Sequence, residues 1–544
     1  MKSQVYFSYL ILSYPPIIKN ILAKSLILKR DYLVTLFLFI SLICNAQSNF
    51  QKKVISINPL DNTLDAVYSN EFNNNIFVLR NFYGLEQYTG YTGLTMFNMN
   101  TGLVNISKSF SKAATDIIVN NAYSENGIVY MSVVINNAIE YTGGIIKYDM
   151  TTNSIIWAKK INLQGNSFII KSIAGDNLNH LYVLGNYYNN TNSNNDLFLT
   201  KMDNDGNIIW SRIIGESTWD EIPSSIKYNG IREIYLSSVG FEGPFGKTTT
   251  VRVDSSGKIL NSIVLATNSG PRFGMSFSAL LNGNLYQVDK TVIGPSDPGP
   301  VLIRKMDSIF NIKSSIILNG IDPRNIANNK SSVLLSGQAP LSSGFKGFRT
   351  LRLDSGLNVE AARYFNNIST FSIATSASSF LNSSNNSFHF FTASGSDTMF
   401  FIKTDTLEIS DCQDTSFTPA STIFNYSQVP YNVVSDTINL SLINFTVELF
   451  DFPFKSMNAC ETGTGISVTN KNDVRIFPNL GDTYINVAVQ NSDNLYIEVF
   501  NELGQSVLRE KKQNKMDISN LARGFYVINI VYEGMNTTHK FIKN

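Results

Sequence analysis

Histidine, cysteine and tryptophan are rare in this sequence, with three of each among 544 residues. No Cys-x-x-Cys, His-Glu-x-x-His, Gly-x-Ser-x-Gly or phosphate-binding glycine loop occurs, so the common metal, nucleophile and nucleotide motifs are missing. We expect His180 and His389 to be half-buried strand residues rather than a metal pair, and His539 belongs to a C-terminal module. The sequence therefore assigns no catalytic residue, no metal ligand and no cofactor.

Charged residues are also few, at 16% of the chain, and the two signs nearly cancel to a formal net charge of +1. No basic stripe stands out, so nucleic acid is not an expected partner. Amphipathic stretches with a 3.6-residue period are absent as well, which argues against helical repeats. What is present are β-branched and aromatic runs broken by Asn, Asp, Gly and Ser, a pattern typical of an all-β protein.

The first 46 residues are organised as an export signal behind a long leader. Lys29-Arg30 precede an apolar run from Tyr32 to Ile43, and the small residues up to Ala46 suit cleavage there. The run is shorter than the roughly 20 residues of a membrane-spanning helix. A lipoprotein signal would use Cys44, but Ile43 is bulky where such signals have a small residue. A true start codon downstream would explain the length of the leader.

Cleavage after Ala46 removes five basic residues and one acid, which changes the net charge from +1 to about −3. It also removes Cys44 and leaves Cys412 and Cys460. Two cysteines in an exported chain most simply pair with each other. We therefore predict a Cys412–Cys460 disulfide, with two buried free thiols as the alternative.

A motif of a basic residue, one spacer and an aspartate recurs in the middle of the chain. Its aspartates are Asp149, Asp203, Asp254, Asp307, Asp354 and Asp405, and its basic residues are Lys147, Lys201, Arg252, Lys305, Arg352 and Lys403. With an imperfect copy at Phe97-Asn98, the steps are 51, 54, 51, 53, 47 and 51 residues. A fixed period of this size indicates a propeller or a solenoid.

Each unit contains four short strands, which is the content of one propeller blade. In one copy the strand Asp196–Asp203 leads into the turn 204–207 and a second strand that carries Trp210. This stretch, with its Asp-Gly-Asn-Ile-Ile-Trp-Ser-Arg run, resembles bacterial β-propeller repeats. Trp157 holds the same place one unit earlier.

Six complete units begin at about 94, 144, 197, 248, 301 and 348. They leave three strands before them, at 53–58, 65–69 and 75–83, and one strand after them, Met399–Asp405. Joining these four strands makes a seventh blade and removes the exposed edges of an open array. We therefore predict a seven-bladed β-propeller over residues 47–405, with six or eight blades as the outcome of a register error.

The repeated aspartate favours a structural role over a catalytic one, because a catalytic site needs a unique constellation and this motif occurs in every unit. We expect each aspartate to accept hydrogen bonds from turn amides, and each basic residue to reach a neighbouring blade. The segment Asp203–Asn207 faintly resembles a calcium loop, but the glutamate expected downstream is missing. A plain Asp-Gly hairpin explains it better.

Residues 473–544 have the pattern of a small β module at the C-terminus. Alternation in 484–489 and 495–500 indicates half-buried antiparallel strands, which a terminal β-sandwich of the body would also show. The order of certain motif residues resembles the type A C-terminal sorting domain of type IX secretion cargo; they are Phe477, Pro478, Asn479, Gly504, Asp517, Leu521, Gly524, Tyr526 and Lys540. Leu480 departs from the family pattern, which usually has a second proline there.

The resemblance implies export through the periplasm and recognition by the type IX secretion machinery. It also implies cleavage of the tail, followed by attachment to surface lipopolysaccharide or by release. The expected location is therefore the outer cell surface or the medium.

Two stretches fit neither the blades nor the tail. Residues 406–462 are predicted to form a small β subdomain, and 463–472 a linker. For the body we favour a non-enzymatic module that binds a glycan or a protein, since aromatic, Asn-rich stretches such as 187–190 suit adhesion. The alternative is a secreted polysaccharide-active enzyme, a hydrolase or lyase with paired acids at one mouth of the ring.

Overall fold

The computed structural model describes residues 49–458 and 475–543. Gaps within these ranges fall at 57–62, 84–89, 163–167, 190–193, 217–218, 243–244, 267–271, 295–296, 330, 339–346, 366–373, 383, 385, 394–397, 411–413, 420–426, 431–433, 439, 452–453, 478–479, 482, 489–494, 502–503, 512, 514 and 533–534. The predicted signal peptide (1–46), the linker (463–472), Cys412, Cys460, Pro478 and Asn479 lie outside the described residues.

The described part of the body forms seven antiparallel sheets, each built on four strands from the inside outward. In six of them the four strands are consecutive in the chain, and the seventh takes its fourth strand from the N-terminal end of the described residues. Blades 1 to 3 are β2(Thr63–Phe72), β3(Asn75–Tyr83), β4(Tyr91–Asn98), β5(Val104–Ser111); β6(Asp116–Glu125), β7(Ile128–Asn136), β8(Tyr141–Asp149), β9(Ser154–Asn162); and β10(Phe168–Gly175), β11(His180–Asn189), β12(Asn194–Asp203), β13(Ile208–Gly215). Blades 4 to 6 are β14(Asp220–Tyr228), β15(Glu233–Glu242), β16(Phe245–Asp254), β17(Ile259–Ala266); β18(Arg272–Leu281), β19(Asn284–Gly294), β20(Asp297–Met306), β21(Ile312–Leu318); and β22(Asp322–Asn328), β23(Ser332–Gln338), β24(Phe348–Asp354), β25(Val359–Phe365). Blade 7 is β26(Ala374–Leu381), β27(Ser387–Ala393), β28(Thr398–Thr404) and the N-terminal β1(Phe50–Ser56).

The blades form a closed ring. The innermost strand of each blade contacts the innermost strand of the next, and β26 of blade 7 contacts β2 of blade 1. The second and third strands are buried along almost their whole length, as in β7, β8 and β23, because neighbouring blades cover both of their faces. The body is therefore the seven-bladed β-propeller that the repeat predicts.

The closing blade differs from the prediction. Three C-terminal strands and one N-terminal strand form it, with β1 paired to β28 from Phe50↔Lys403 to Ile55↔Thr398. The predicted arrangement of one C-terminal and three N-terminal strands is wrong, because each Lys/Arg-x-Asp strand is the third of its blade and not the first. A repeat period is the same whichever strand is counted as the first of the unit. The spacing alone therefore does not show which strand of a blade carries the motif.

An outer layer of short strands, which the sequence did not predict, surrounds the blades. The chain that follows blade 7 runs around the outside of the ring and adds a fifth strand to six blades; we call residues 414–458 the belt. Its strands pair with blades 6, 4, 3, 2, 1 and 7 in that order: β29(Asp414–Ser416), β30(Ser427–Pro430), β31(Val434–Thr437), β32(Ser441–Asn444), β33(Glu448–Asp451) and β34(Phe454–Asn458). Blade 5 has no fifth strand within the described residues.

The belt corrects the predicted small β subdomain at 406–462. Its strands pair with the propeller blades, for example Arg212↔Thr437 and Lys108↔Asp451, rather than with one another. Phe445 and Leu449 pack against the apolar core of blades 1 and 2, and Phe417 packs against the core of blades 5 and 6. The segment covers exposed blade edges, which would otherwise be templates for aggregation.

The segment just before the belt and the last strand of the belt both reach β1. Gln51 of β1 donates to Ser410 Oγ at 2.7 Å, and its neighbour Lys52 pairs with Asn458. Ser410 and Asn458 each lie two residues from a cysteine, and two residues of extended chain span about 7 Å. We therefore expect peptide mapping without reduction to recover a Cys412–Cys460 linked peptide. Alkylation of both thiols in the unreduced folded protein would contradict the pairing.

The aspartates of the repeated motif hold the turn that follows the third strand of a blade. Asp203 Oδ1 accepts hydrogen bonds from the amides of Asp205 at 3.0 Å and Asn207 at 2.7 Å. Burial by itself would raise the pKa of Asp203, but the hydrogen bonds from Asn207 and Asp205 outweigh it and lower the pKa. The other five aspartates accept from turn amides in the same way: Asp149, Asp254, Asp307, Asp354 and Asp405.

Four of the six basic residues of the motif, and the tryptophans Trp157 and Trp210, contact the turn of the following blade. Lys147 Nζ donates to the Asn204 carbonyl at 2.9 Å, and Trp157 Nε1 donates to the same oxygen at 3.3 Å. Gly206 has a φ of +75°, and a Cβ there would lie 3.0 Å from the Trp157 ring. In later blades, Arg252 donates to the Ser308 carbonyl and Lys305 donates to the Ser355 carbonyl. Arg352 donates instead to the side-chain carboxylate of Glu408. The Asp-Gly-Asn and Trp positions therefore match adjacent blades to each other.

The tail forms a separate unit, which begins at Glu461. It contains a three-stranded sheet and a five-stranded sheet that enclose one apolar core, including Ile485, Ile497 and Ile528. The strands are β35(Arg475–Phe477), β36(Leu480–Gly481), β37(Tyr484–Ala488), β38(Leu495–Phe500), β39(Ser506–Lys511), β40(Lys515–Asp517), β41(Gly524–Tyr532) and β42(Met535–Lys543). Across the residues described, there is no helix of sufficient length and apolarity to cross a membrane.

Candidate functional site

Every innermost strand carries a β-bulge at the same position. The register with the second strand skips one residue in each blade: Val67, Asn120, Lys171, Ser224, Gly274, Arg324 and Thr375. A bulge bends its strand and re-aims a side chain, and bulges are common at barrel rims and binding sites. Here the repeat forms a ring of seven bulges around the central channel. A bulge is a property of strand register, so the sequence pattern did not reveal it.

The channel contains two connected cavities. A cavity of about 410 Å³ lies toward the face where the innermost strands begin, which we call the loop face. A second cavity of about 400 Å³ lies toward the opposite, hairpin face, and the two share Val67, Asn121, Lys227, Asn325 and Ile326. Each volume is within the range of small-molecule sites in proteins.

Hydroxyl and amide side chains dominate the loop-face cavity, and several of them bridge neighbouring blades. Asn120 Nδ2 donates to the Ile170 carbonyl at 2.6 Å, and Ser225 Oγ and Ser278 Oγ are 2.7 Å apart. Ser172 Oγ accepts from the backbone amide of Ile226 at 3.3 Å. These bonds fix the innermost strands of blades 2 to 5 against one another. The walls are therefore rigid, polar and suited to a hydroxyl-rich ligand.

Among the described residues, three cationic side chains line the loop-face cavity, together with a single carboxylate, that of Asp65. Lys171 lies on the bulge of blade 3 and Lys227 lies on blade 4; burial lowers the pKa of each. Within the described residues, neither ammonium group has a hydrogen-bond or ion-pair partner. Arg324, on the bulge of blade 6, pairs with Asp322 at 3.1 Å, while its buried Nε has no hydrogen-bond partner among the described residues.

Tyrosines line the hairpin-face cavity, which includes Tyr68, Tyr123 and Tyr228. Tyr68 and Ser124 share a hydrogen bond of 3.1 Å, and burial raises the pKa of Tyr68. Tyr228 stacks on Tyr182 with ring centroids 6.0 Å apart. Aromatic faces of this kind offer apolar surface and a hydroxyl together.

The carboxylates near the loop face are engaged in structural hydrogen bonds. Asp116 accepts from the Gly90 amide at 2.7 Å, and Asp220 accepts from the Asn195 amide at 2.8 Å. Glu221 accepts from the Glu216 amide at 2.9 Å, and Asp322 accepts from Gln338 Nε2 at 2.7 Å. Each therefore ties an innermost strand to a nearby loop or strand.

The two histidines of the propeller lie in different blades. His180 Nδ1 is 2.8 Å from Asp176, at the start of β11. His389 is fully buried in blade 7, where Nε2 is 2.9 Å from Glu408 Oε2. No group of three or more His, Cys, Asp or Glu side chains among the described residues is arranged to hold a metal ion.

Glu408 anchors a buried ionic cluster beside the closing blade. Arg352 Nη2 lies 2.7 Å from Glu408 Oε1, and both side chains are almost completely buried. Burial alone would raise the pKa of Glu408, but the hydrogen bond and charge of His389 and the charge of Arg352 lower it to about 2. The ionised carboxylate therefore stabilises the folded state above its ordinary pKa of 4.5, and this contribution is lost as the pH falls from there toward 2.

We expect Glu408→Gln to lower the free energy of unfolding at pH 7 by on the order of 3 kcal/mol, since it leaves Arg352 buried without its counter-ion. Thermal unfolding across pH 3–7 measures this, and the variant should lose less stability than the parent on acidification. Asp205→Asn, which removes an exposed carboxylate, is the control. An equal pH dependence in the parent and the Gln variant would contradict the role of the cluster.

The described residues of the predicted sorting motif hold turns and core positions of the tail. Gly504 has a φ of +72° and donates to the Asn501 carbonyl at 2.9 Å. Asp517 accepts from the Ser519 amide, and its hydrogen bonds with Ser519 lower its pKa. Buried Tyr526 donates to the Ala522 carbonyl at 2.7 Å and stacks on Phe541. Leu521 packs against the apolar core of the tail. The other described motif residues lie in strands: Gly524 is the first residue of β41, Lys540 pairs with Val527, and Phe477 is the last residue of β35.

Comparison with known proteins gives one family match. Residues 475–544 match the family described as the Secretion system C-terminal sorting domain. No curated protein is significantly similar to the chain in sequence.

Several solved structures are similar to the body of the chain. The polysaccharide lyase Uly1 has 9% identity and a TM-score of 0.41, over 65% of this chain and 99% of that one. A protein of unknown function from Dyadobacter fermentans has 9% identity and a TM-score of 0.39, over 65% and 98%. The endosialidase of phage phi92 has 8% identity and a TM-score of 0.36, over 90% and 87%. Likenesses this distant do not identify an activity.

The fold and the tail together define an exported β-propeller protein. Its residues 475–544 belong to the sorting-domain family, so the protein is cargo that interacts with the type IX secretion machinery. It is secreted or attached at the cell surface.

Proposed function

We propose that the propeller is a non-enzymatic binding module whose ligand is a glycan held in the loop-face end of the central channel. The observation that carries this proposal is the ring of bulges, which brings Asn120, Lys171, Ser224 and Arg324 to one level of the channel. Dense hydroxyl and amide lining suits the many hydroxyl groups of a saccharide. An adhesive or scavenging role at the cell surface follows from this binding.

An enzymatic role is the second candidate and has less support. A glycosidase needs two carboxyl groups on either side of the scissile bond, and within the described channel lining only Asp65 supplies one. The nearby acids Asp116, Asp220 and Glu221 are hydrogen-bonded to backbone amides. The arrangement favours retention of a saccharide over its cleavage.

A glycan array probed with the mature chain tests the binding proposal. We expect retention of a restricted set of glycans, with no release of reducing ends or unsaturated sugars when the same glycans are incubated with the protein. Failure of the folded protein to retain any glycan would contradict the proposal, and release of new chain ends would favour the hydrolase or lyase instead.

We further propose that the tail is removed at the surface, and that the body is then attached to lipopolysaccharide or released. The separate apolar core of the tail supports this, because none of the described strands of the tail belongs to a propeller blade. The intact mass of the surface-extracted protein should be lower than that of the mature chain by the mass of the tail. Recovery of the full tail on the displayed protein would contradict removal.

A further inference from the structure

The two channel lysines that have no partner among the described residues lie on the innermost strands of neighbouring blades. Lys171 adjoins Ser172 on blade 3, and Lys227 adjoins Ile226 on blade 4; the Ile226 amide donates to Ser172 Oγ at 3.3 Å. This bond fixes the register between the two innermost strands, so the lysines lie within a residue or two of each other across the blade boundary. Both line the loop-face cavity.

Two partly buried ammonium groups without counter-ions are unfavourable for folding. Removing a charge from water is costly unless a partner compensates for it, and among the described side chains these two have no such partner. Arg324, which pairs with Asp322, also lines this cavity, and its buried Nε has no hydrogen-bond partner among the described residues. Asp65 is the single carboxylate in the described lining, so the cavity has an excess of positive charge.

We infer that the glycan bound in this channel is anionic, and that a carboxylate or sulfate group on the sugar lies between Lys171 and Lys227. This inference rests on the proposed glycan-binding function and narrows its ligand class. Charge-assisted hydrogen bonds from the two ammonium groups hold the acidic group. The serine and asparagine side chains of the surrounding blades bind the sugar hydroxyls.

The substitutions Lys171→Met and Lys227→Met keep the aliphatic stem and remove the charge. Lys258→Met is the matched control, because it removes one positive charge from an exposed hairpin residue of blade 4. The probes are galacturonic acid trimer, chondroitin sulfate hexasaccharide, a galactose trimer as the neutral counterpart, and sodium sulfate. Affinity is measured by titration calorimetry on the mature chain at two salt concentrations, after an array has ranked acidic and neutral glycans.

We expect binding confined to acidic glycans and weakened by salt. Each channel variant should lose at least about tenfold in affinity, the scale of one charge-assisted hydrogen bond, while Lys258→Met stays within about twofold of the parent. The melting temperature of the channel variants should be unchanged or higher, because an uncompensated charge has been removed. This readout separates loss of binding from loss of folding.

Three results would overturn the inference. Equal binding of neutral and acidic glycans, unaffected by either Lys→Met change, would be consistent with the proposed glycan-binding function. It would contradict the inference that the ligand is anionic. Binding of free sulfate without any glycan would indicate a small-ion site and contradict both proposals. Binding of acidic glycans that all three variants retain would place the acidic group away from these lysines.

Discussion

A mature chain that begins at residue 59 instead of 47 is expected to lose the cooperative unfolding of the propeller. The missing segment contains β1, which is paired on both sides: six residue pairs join it to β28 and five join it to β34. At about 1 kcal/mol for each backbone hydrogen bond, the loss approaches the whole stability of a typical domain, about 5–15 kcal/mol. The truncation also exposes the edges of β28 and β34, which favours edge-to-edge association.

Thermal unfolding by circular dichroism, together with size-exclusion chromatography, measures this effect. A synthetic peptide of residues 47–58 should restore the monomer by strand addition, and a peptide with the same composition in scrambled order is the control. If the chain from residue 59 elutes as a monomer with an unchanged melting temperature, the assignment of β1 to the closing blade is wrong.

Deletion of residues 473–544 is expected to abolish surface display while leaving the propeller folded. The tail has its own apolar core, built from residues such as Ile497, Met516 and Ile528, and its described strands pair only with one another. The sorting domain interacts with the secretion machinery. Its loss therefore removes the secretion signal without destabilising the propeller. We expect the truncated protein to accumulate in the periplasm.

Fractionation of cells and protease accessibility on intact cells measure the location of the truncated protein. Gly504→Ala, at a position with a φ of +72°, gives a subtler version that strains one turn of the tail. The melting temperature of the periplasmic species should match that of the parent propeller. Display of the truncation at the parent level would contradict the sorting role.

The sequence predicted the repeat architecture and the tail because both depend on local patterns. Turn residues such as Asp203 and Gly206 and the Trp157 and Trp210 positions recur with the period of the blade, so the number of blades could be counted. The position of each strand within its blade was not predicted correctly, because the strand that lies innermost is defined by its contacts across the channel. Only the fold shows that β14 and not β12 lines that channel.

The belt and the bulge ring could not be predicted from local patterns. The belt strand β31, for example, is only four residues long, and its partner strand lies more than 200 residues earlier in the chain, as in Arg212↔Thr437. Lys171 and Lys227 look like ordinary strand lysines in the sequence. Their significance depends on the bulge beside Ser172 and on a described cavity lining in which Asp65 is the one acidic residue.

The crystal structure of the mature chain with its tightest-binding acidic oligosaccharide tests the central claim most directly, namely that the channel is the ligand site. The account predicts the sugar inside the loop-face cavity, with its acidic group within hydrogen-bond distance of Lys171 Nζ and Lys227 Nζ. A sugar bound on the belt or on the outer blade edges, with the channel occupied only by water, would contradict it.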